Sequence, residues 1–146
     1  MEELAEGMPG WDPDVFRARL AHLQYTVHPR GRGPYSDKEV VALMAERGLE
    51  SMSYVHFWKL RTGRTGNPRI SELAALATFF GVPLMYWFSD QVAEQSNESL
   101  EKLVLMRDAG IESILLRLSD VSEDGQAAVS GLLDHYRKRE GLPPVK

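Results

Sequence analysis

The sequence predicts an all-α fold in two parts. Apolar residues recur at helical spacing along most of the chain, residues that start and stop helices flank these stretches, and no segment alternates apolar and polar residues over the length of a strand. The charge is also divided: residues 51–70 carry four basic and no acidic residues, a net of +4, whereas residues 89–146 carry seven basic and eleven acidic residues, a net of −4. We therefore expect two helical domains with different tasks.

Breaks in composition give the predicted boundaries. We expect a flexible acidic tail over residues 1–10, a first helical domain over residues 11–88, a second over residues 89–141 and a short tail over residues 142–146. Hydrophobic residues make up 43% of the chain, which is enough for a packed core.

Capping residues mark the helix starts of the first domain. Asp12 precedes Pro13, Ser36 stands three residues before Glu39 in a capping box, and Ser53 is the predicted N-cap of a third helix. Glycines 48, 63 and 81 end successive helices, and residues 84–88 form a short apolar turn that should close the core. The predicted inward-facing residues are Phe16, Leu20, Leu23, Val40, Leu43, Met44, Phe57, Leu60, Leu73, Leu76, Ala77 and Phe80.

The third helix combines buried anchors with an exposed polar and aromatic face. A helix, a turn and a second helix of this kind are typical of proteins that place the second helix in the major groove of DNA. Lys59 can donate to guanine, Tyr54 can donate to a base or phosphate, and Val55 can pack against a thymine methyl group. The predicted base contacts are therefore Tyr54, Val55 and Lys59. The predicted contacts to the DNA backbone are Ser53, Trp58, Arg61, Thr62, Arg64, Arg69 and Arg32.

Amphipathic helices predicted after residue 89 cannot bury all of their apolar stripes alone. They need either the first domain or a second copy of the chain, and the second copy would make a homodimer suited to two DNA half-sites. The predicted dimer interface consists of Leu103, Ile114, Leu118, Val129, Leu132, Leu133 and Tyr136.

Three further stretches resemble a known family. They are residues 27–34 (Val-His-Pro-Arg-Gly-Arg-Gly-Pro), residues 60–80 with their Leu-Arg-Thr-Gly start and Ala-Ala-Leu-Ala centre, and residues 106–110 (Met-Arg-Asp-Ala-Gly). With Ser53–Gly63 and the Asn-Pro pair at 67–68, they resemble the phage-repressor-like (Xre) helix-turn-helix family, and more closely the EspR-like regulators of actinobacteria, over about residues 14–141.

That resemblance implies a lambda-repressor-like DNA-binding domain followed by a C-terminal helical dimerisation domain. It implies a cytoplasmic, nucleoid-associated transcription regulator that binds double-stranded DNA as a dimer and bridges distant sites. The family's base-contacting positions fall on Tyr54, Val55 and Lys59, and its phosphate-contacting positions fall on Ser53, Thr62 and Arg64. Tyr54, Trp58 and Lys59 are not the usual small or amide side chains, so no operator sequence carries over.

Other classes of function find little support in the sequence. The chain has no cysteine, which excludes disulfides and zinc-thiolate sites. It has no apolar run near the roughly 20 residues of a membrane span, and no secretory signal over residues 1–10. The four histidines (His22, His28, His56 and His135) lack the spacing of a metal site, so we expect no metal and no cofactor. No nucleophile–base set indicates an enzyme.

Two alternatives stay open. The Arg-Gly-Arg-Gly stretch at 30–33 could be a turn between two helices, could place Arg32 on the DNA backbone, or could cradle a phosphate, although no strand precedes it. The exposed helix could also serve a protein-interaction module of antitoxin or sequestering type, in which Tyr54, Val55 and Trp58 would meet protein instead of DNA.

Overall fold

The regular secondary structure in the described part of the chain consists of helices. The computed structural model describes residues 3–65 and 67–145, apart from the side chain of Glu112. Its α-helices are α1 (Pro13–Thr26), α2 (Asp37–Glu46), α3 (Tyr54–Thr62), α4 (Ile70–Phe80), α5 (Asp90–Asp108), α6 (Ile111–Ser119) and α7 (Glu123–Arg139), and 3-10 helices cover Ala5–Gly7 and Leu84–Trp87. Within these ranges there is no strand, only an isolated bridge between Leu4 and Arg69. The predicted all-α class is confirmed.

Helix starts in the first domain follow the predicted capping residues. The Asp12 carboxylate accepts hydrogen bonds from N–H groups of the first turn of α1. Ser36 accepts from the N–H of Glu39, whose carboxylate accepts in return from the N–H of Ser36. Ser53 Oγ accepts from the N–H of His56 at 3.1 Å. These bonds satisfy donors that a first helical turn leaves unpaired, which is why local sequence located the helix starts.

Two compact units divide the chain after residue 105. We predicted a boundary after residue 88, but the first part of α5 belongs to the first unit. The Tyr86 hydroxyl donates to Asn97 Oδ1 at 2.8 Å, and Leu100 is buried. Burial raises the pKa of Tyr86, which keeps its hydroxyl protonated as a donor.

The core of the first unit contains the inward-facing residues of its helices. Helix α3 packs against α1 and α2, and Leu84–Trp87 packs against α4 and α1. The indole Nε1 of Trp87 donates to the carbonyl of Leu73 at 3.0 Å, so its polar group is satisfied inside the core. The largest fully buried side chains are Trp87, Tyr86, Phe16, Phe57, Leu20, Leu23, Met44, Leu60, Leu73, Leu76 and Val40.

Residues 3–10 do not form the flexible tail that we predicted for residues 1–10, of which 1 and 2 lie outside the described residues. Ala5 is fully buried, and its N–H donates to the carbonyl of Pro68 at 2.9 Å. The Glu6 carboxylate accepts from Asn67 Nδ2 at 3.0 Å, 61 residues away in sequence. The prediction failed because these bonds join residues that are distant in sequence, so they leave no pattern in the local sequence.

The second unit contains the end of α5 together with α6 and α7. Ser122 caps α7, since its Oγ accepts from the N–H of Gly125 at 3.2 Å. Gln126 Nε2 donates to the carbonyls of Leu118 and Val121, both at 3.1 Å, and so fixes the turn before α7. Of the hydrophobic side chains described between residues 106 and 145, none is buried. The predicted tail over 142–145 follows α7, and residue 146 lies outside the description.

No helix in the described ranges is long and apolar enough to cross a membrane.

Candidate nucleic-acid interface

Helix α3 is anchored by its inner face and by the turn that ends it. Phe57 and Leu60 are fully buried. Gly63 ends the helix in the left-handed conformation with φ of 77°. A β-carbon at this position would be strained and would also displace the guanidinium of Arg17. The C-terminal end of α3 is therefore fixed by both backbone conformation and packing.

A polar network joins α3 to α1 and α2. Arg61 donates from Nε and Nη2 to the two carboxylate oxygens of Asp37, at 3.0 and 2.8 Å. Gln24 Nε2 donates to the same carboxylate at 2.9 Å and to the carbonyl of Tyr35 at 3.0 Å. A bidentate pair fixes direction as well as distance. Arg61, which we predicted as a DNA backbone contact, therefore bonds inside the unit and orients α3.

A buried carboxylate joins α3 to α4. The Glu72 side chain is 4% exposed, and its Oε2 accepts from His56 Nε2 at 2.5 Å. Its Oε1 accepts from the N–H of Arg69 at 3.0 Å, and the Arg69 side chain reaches both Glu72 and Glu50. Burial raises the pKa of Glu72, but the N–H of Arg69 and the neighbouring imidazole outweigh burial, so the pKa lies below its ordinary value. The sequence did not indicate this arrangement.

The three predicted base-contacting residues lie on exposed parts of α3. Tyr54 and Val55, in its first turn, are 46% and 43% exposed. Lys59 is exposed one turn after Val55, so these two share a face. This surface offers a phenol, an aliphatic group and an ammonium, which can contact base edges and thymine methyl groups.

Two hydroxyls predicted to contact the DNA backbone already have partners within α3. Ser53 Oγ accepts the capping bond described above and keeps its own proton free to donate. Thr62 Oγ1 donates to the carbonyl of Trp58 at 2.7 Å. Both side chains lie at the ends of the helix, where phosphate contacts position a protein on DNA.

Three of the arginines predicted to contact DNA form ion pairs within the first unit. Arg61 and Arg69 pair as described, and Arg32 donates to both carboxylate oxygens of Glu39 at 2.7 and 2.8 Å. Hydrogen bonds from Arg32 and from the N–H of Ser36 lower the pKa of Glu39 to about 2. The +4 charge of residues 51–70 is therefore partly neutralised by carboxylates that the fold brings from α2, α4 and the segment before α3.

Cations without a carboxylate partner flank α3. In the described part of the chain, no ion pair is formed by Lys38, Lys59 or Arg64. Lys38 Nζ lies 4.8 Å from the ring centroid of Tyr54, and Arg64 Cζ lies 4.8 Å from that of Trp58. Sequence reasoning missed Lys38. The capping box places it in the first turn of α2, but its approach to α3 is tertiary.

The residues of the predicted dimer interface keep large exposed fractions. Leu103, Ile114, Leu132, Leu133 and Tyr136 are between 49% and 59% exposed, and Leu118 and Val129 are half-buried. Leu103 lies on the part of α5 that belongs to the first unit, and the other six belong to the second. Across the described residues, no group of three or more His, Asp or Glu side chains is placed to hold a metal ion.

The chain is similar to two curated proteins, both named nucleoid-associated protein EspR, from Mycobacterium tuberculosis strains CDC 1551 / Oshkosh and H37Rv. Each is 36% identical over 128 residues, which cover 88% of this chain and 96% of the relative. No protein-family model matches the chain. Because the identity extends over almost the whole relative, this chain belongs to the EspR family.

Proposed function

We propose that this protein is a DNA-binding, nucleoid-associated regulator of the Xre helix-turn-helix type, in which α2 and α3 form the motif and α3 enters the major groove. The observation that carries this proposal is the outer face of α3. It presents exposed Tyr54, Val55 and Lys59. The rest of the helix is held by the core and by two polar networks, one around Asp37 and Arg61 and the other around Glu72 and His56. The name of the EspR relatives supports the same function.

The arrangement gives the predicted interface residues three different roles. Tyr54, Val55 and Lys59 contact base edges, and Ser53, Trp58, Thr62 and Arg64 contact the DNA backbone. Arg32, Arg61 and Arg69 act chiefly by fixing the loops and helices that carry these contacts, because each already donates to a carboxylate.

Gel-shift or anisotropy titrations of the full chain test this assignment. We expect Lys59→Ala and Tyr54→Ala each to weaken binding to the best genomic site by about 1–3 kcal/mol, and Lys59→Ala to relax base preference at one position. Lys102→Ala removes an equal charge from α5 and should leave specific binding unchanged. Wild-type affinity in both α3 variants would show that α3 is not the recognition helix.

We further propose that the protein is a homodimer held through the second unit. The supporting observation is that the apolar residues of α6 and α7 stay half exposed, although water contact with such residues is unfavourable. Leu132→Asp with Leu133→Asp should convert a dimer to a monomer in light scattering of the full chain, whereas Arg117→Asp should not. A wild-type monomer at micromolar concentration would contradict this proposal.

The exposed apolar groups of Tyr54 and Val55 also suit a second function. An exposed apolar surface can mark a protein interface, as in an antitoxin or a sequestering factor. The two functions differ in their salt dependence, because neutralised phosphates release counterions. DNA affinity that is absent, or that does not fall with salt, would favour the protein partner.

A further inference from the structure

We propose that Tyr54 and Trp58 are aromatic platforms that hold the side chains of Lys38 and Arg64, so that these two cations contact DNA phosphates on either side of α3. This inference rests on the proposed DNA-binding function and deepens it. It adds Lys38 to the interface, and it gives Tyr54 and Trp58 a positioning role besides any contact of their own.

The geometry of the two pairs is matched. Tyr54 and Trp58 are four residues apart on α3, so their side chains share one side of the helix. Each ring has a cation 4.8 Å from its centroid: the Lys38 ammonium at Tyr54 and the Arg64 guanidinium at Trp58. Lys38 comes from the first turn of α2 and Arg64 follows the Gly63 cap of α3, so the cations approach from opposite ends of the helix.

These cations differ from two of the three other stacked cations that the structure describes in the unit, the third being Arg47 over Phe79 of α4. Arg32 stacks on Tyr35 and Arg19 lies over Tyr86, yet each also pairs with a carboxylate. Within the described ranges, Lys38 and Arg64 have an aromatic face and no acid. A cation on an aromatic ring keeps its full charge, whereas one paired with a carboxylate is neutralised locally.

Holding a long side chain in place before binding matters for affinity. Lysine and arginine lose rotamer freedom when they are immobilised at an interface, and a stacked side chain has already lost part of it. Exposed cation–π contacts contribute about 0.5–1 kcal/mol, which corresponds to about two- to fivefold in affinity. Removing a platform should therefore cost that factor and leave the number of phosphate contacts unchanged.

The Arg64 arm of the test is a double-mutant cycle on DNA affinity over a series of salt concentrations. Arg64→Ala should weaken binding and reduce the slope of log affinity against log salt by about one. Trp58→Leu should weaken binding more in the wild-type background than in the Arg64→Ala background, by about two- to fivefold. Additive losses would show that Trp58 contacts DNA independently of Arg64, and would overturn its platform role.

The Lys38 arm separates the ring of Tyr54 from its hydroxyl. Lys38→Ala should also reduce the salt slope by about one. Tyr54→Phe keeps the platform and should retain that slope, losing only what the hydroxyl itself contributes, whereas Tyr54→Leu should lose a further two- to fivefold of affinity, about the size of a cation–π contact, and this further loss should occur only while Lys38 is present. Equal losses of affinity in Tyr54→Phe and Tyr54→Leu would overturn the platform role of Tyr54.

Arg47→Ala is the matched control, since Arg47 at the end of α2 stacks at the same 4.8 Å, but on Phe79 of α4 and not on a ring of α3. Arg47→Ala should leave the slope of log affinity against log salt unchanged. A change equal to that of Lys38→Ala or Arg64→Ala would show that net charge alone explains the effect, and would overturn the proposal. Thermal melts check that each variant folds, with the non-aromatic Trp58→Met replacing Trp58→Leu if the latter does not. If Lys59→Ala weakens specific binding while Lys38→Ala and Arg64→Ala leave the salt slope unchanged, the platform proposal is wrong but the proposed DNA-binding function is not. If none of the three changes binding, the proposed function fails as well.

Discussion

Glu72 offers the sharpest test of how α3 is held, because this carboxylate is almost fully buried yet accepts hydrogen bonds from α3 and from the start of α4. Glu72→Ala removes the acceptor for the His56 imidazole and for the N–H of Arg69. A hydrogen bond to a charged group contributes about 1.5–3 kcal/mol, and a buried donor left without a partner costs a similar amount. His56 is 37% exposed, so water can replace part of its lost bond. We therefore expect a loss of about 2–4 kcal/mol in the free energy of unfolding.

Equilibrium unfolding in urea, followed by circular dichroism at pH 7, measures this loss. Glu98→Ala removes an exposed carboxylate from α5 and should change stability by less than about 0.5 kcal/mol. Glu72→Gln keeps the size and one acceptor oxygen, so it should fall between wild type and Glu72→Ala.

The pH dependence gives a second, independent measurement. The pKa of Glu72 in the folded protein lies below its ordinary value of 4.5, so the stabilisation is fully present above that value and is lost as pH falls through the folded pKa. The difference between wild type and Glu72→Gln should therefore shrink as the pH is lowered below about 4.5. A Glu72→Ala variant as stable as wild type, or a difference that does not depend on pH in this range, would refute the reasoning.

Three further predictions concern the scaffold around α3. Urea unfolding of Asp37→Ala, Arg61→Ala and the double variant should give a coupling energy of about 1–2 kcal/mol, because the pair is bidentate and partly buried. Additive losses of stability would show that the pair contributes nothing. Gly63→Ala should lower the free energy of unfolding by about 1–2 kcal/mol through its left-handed conformation, and an unchanged value would contradict the assigned cap. Trp87→Ala should lower it by about 3–5 kcal/mol, whereas Tyr25→Ala, at an exposed ring, should change it little; similar losses would place Trp87 outside the core.

The two polar networks have a consequence for mutational studies of the interface. If α3 binds DNA as proposed, loss of the Arg61 or Arg69 side chain would weaken binding even without a phosphate contact, because Arg61 pairs with Asp37 and Arg69 pairs with Glu50 and Glu72. Salt dependence separates these roles, since a positioning residue changes affinity without changing the number of released counterions. We therefore expect Arg61→Ala to change the affinity more than the salt slope.

The sequence by itself determined the helical class and the helix starts of the first unit. Ser36, Glu39 and Ser53 act through bonds within a single helical turn, so their effect can be inferred from neighbouring residues alone. Helical periodicity likewise identified Phe57 and Leu60 as buried, and therefore the outer face of α3 as exposed.

The charges at the interface depended on tertiary structure. Residues 51–70 indicated four available cations, but Arg61 and Arg69 are paired with acids that lie elsewhere in the sequence, while Lys38 joins the α3 surface from α2. The docking of residues 3–10 was hidden for the same reason, since Ala5 bonds to Pro68 through the backbone. A local pattern records which groups a helix can expose. Only the packing of distant segments decides which of those groups are already satisfied, because hydrogen bonds and ion pairs depend on distance in space and not on separation along the chain.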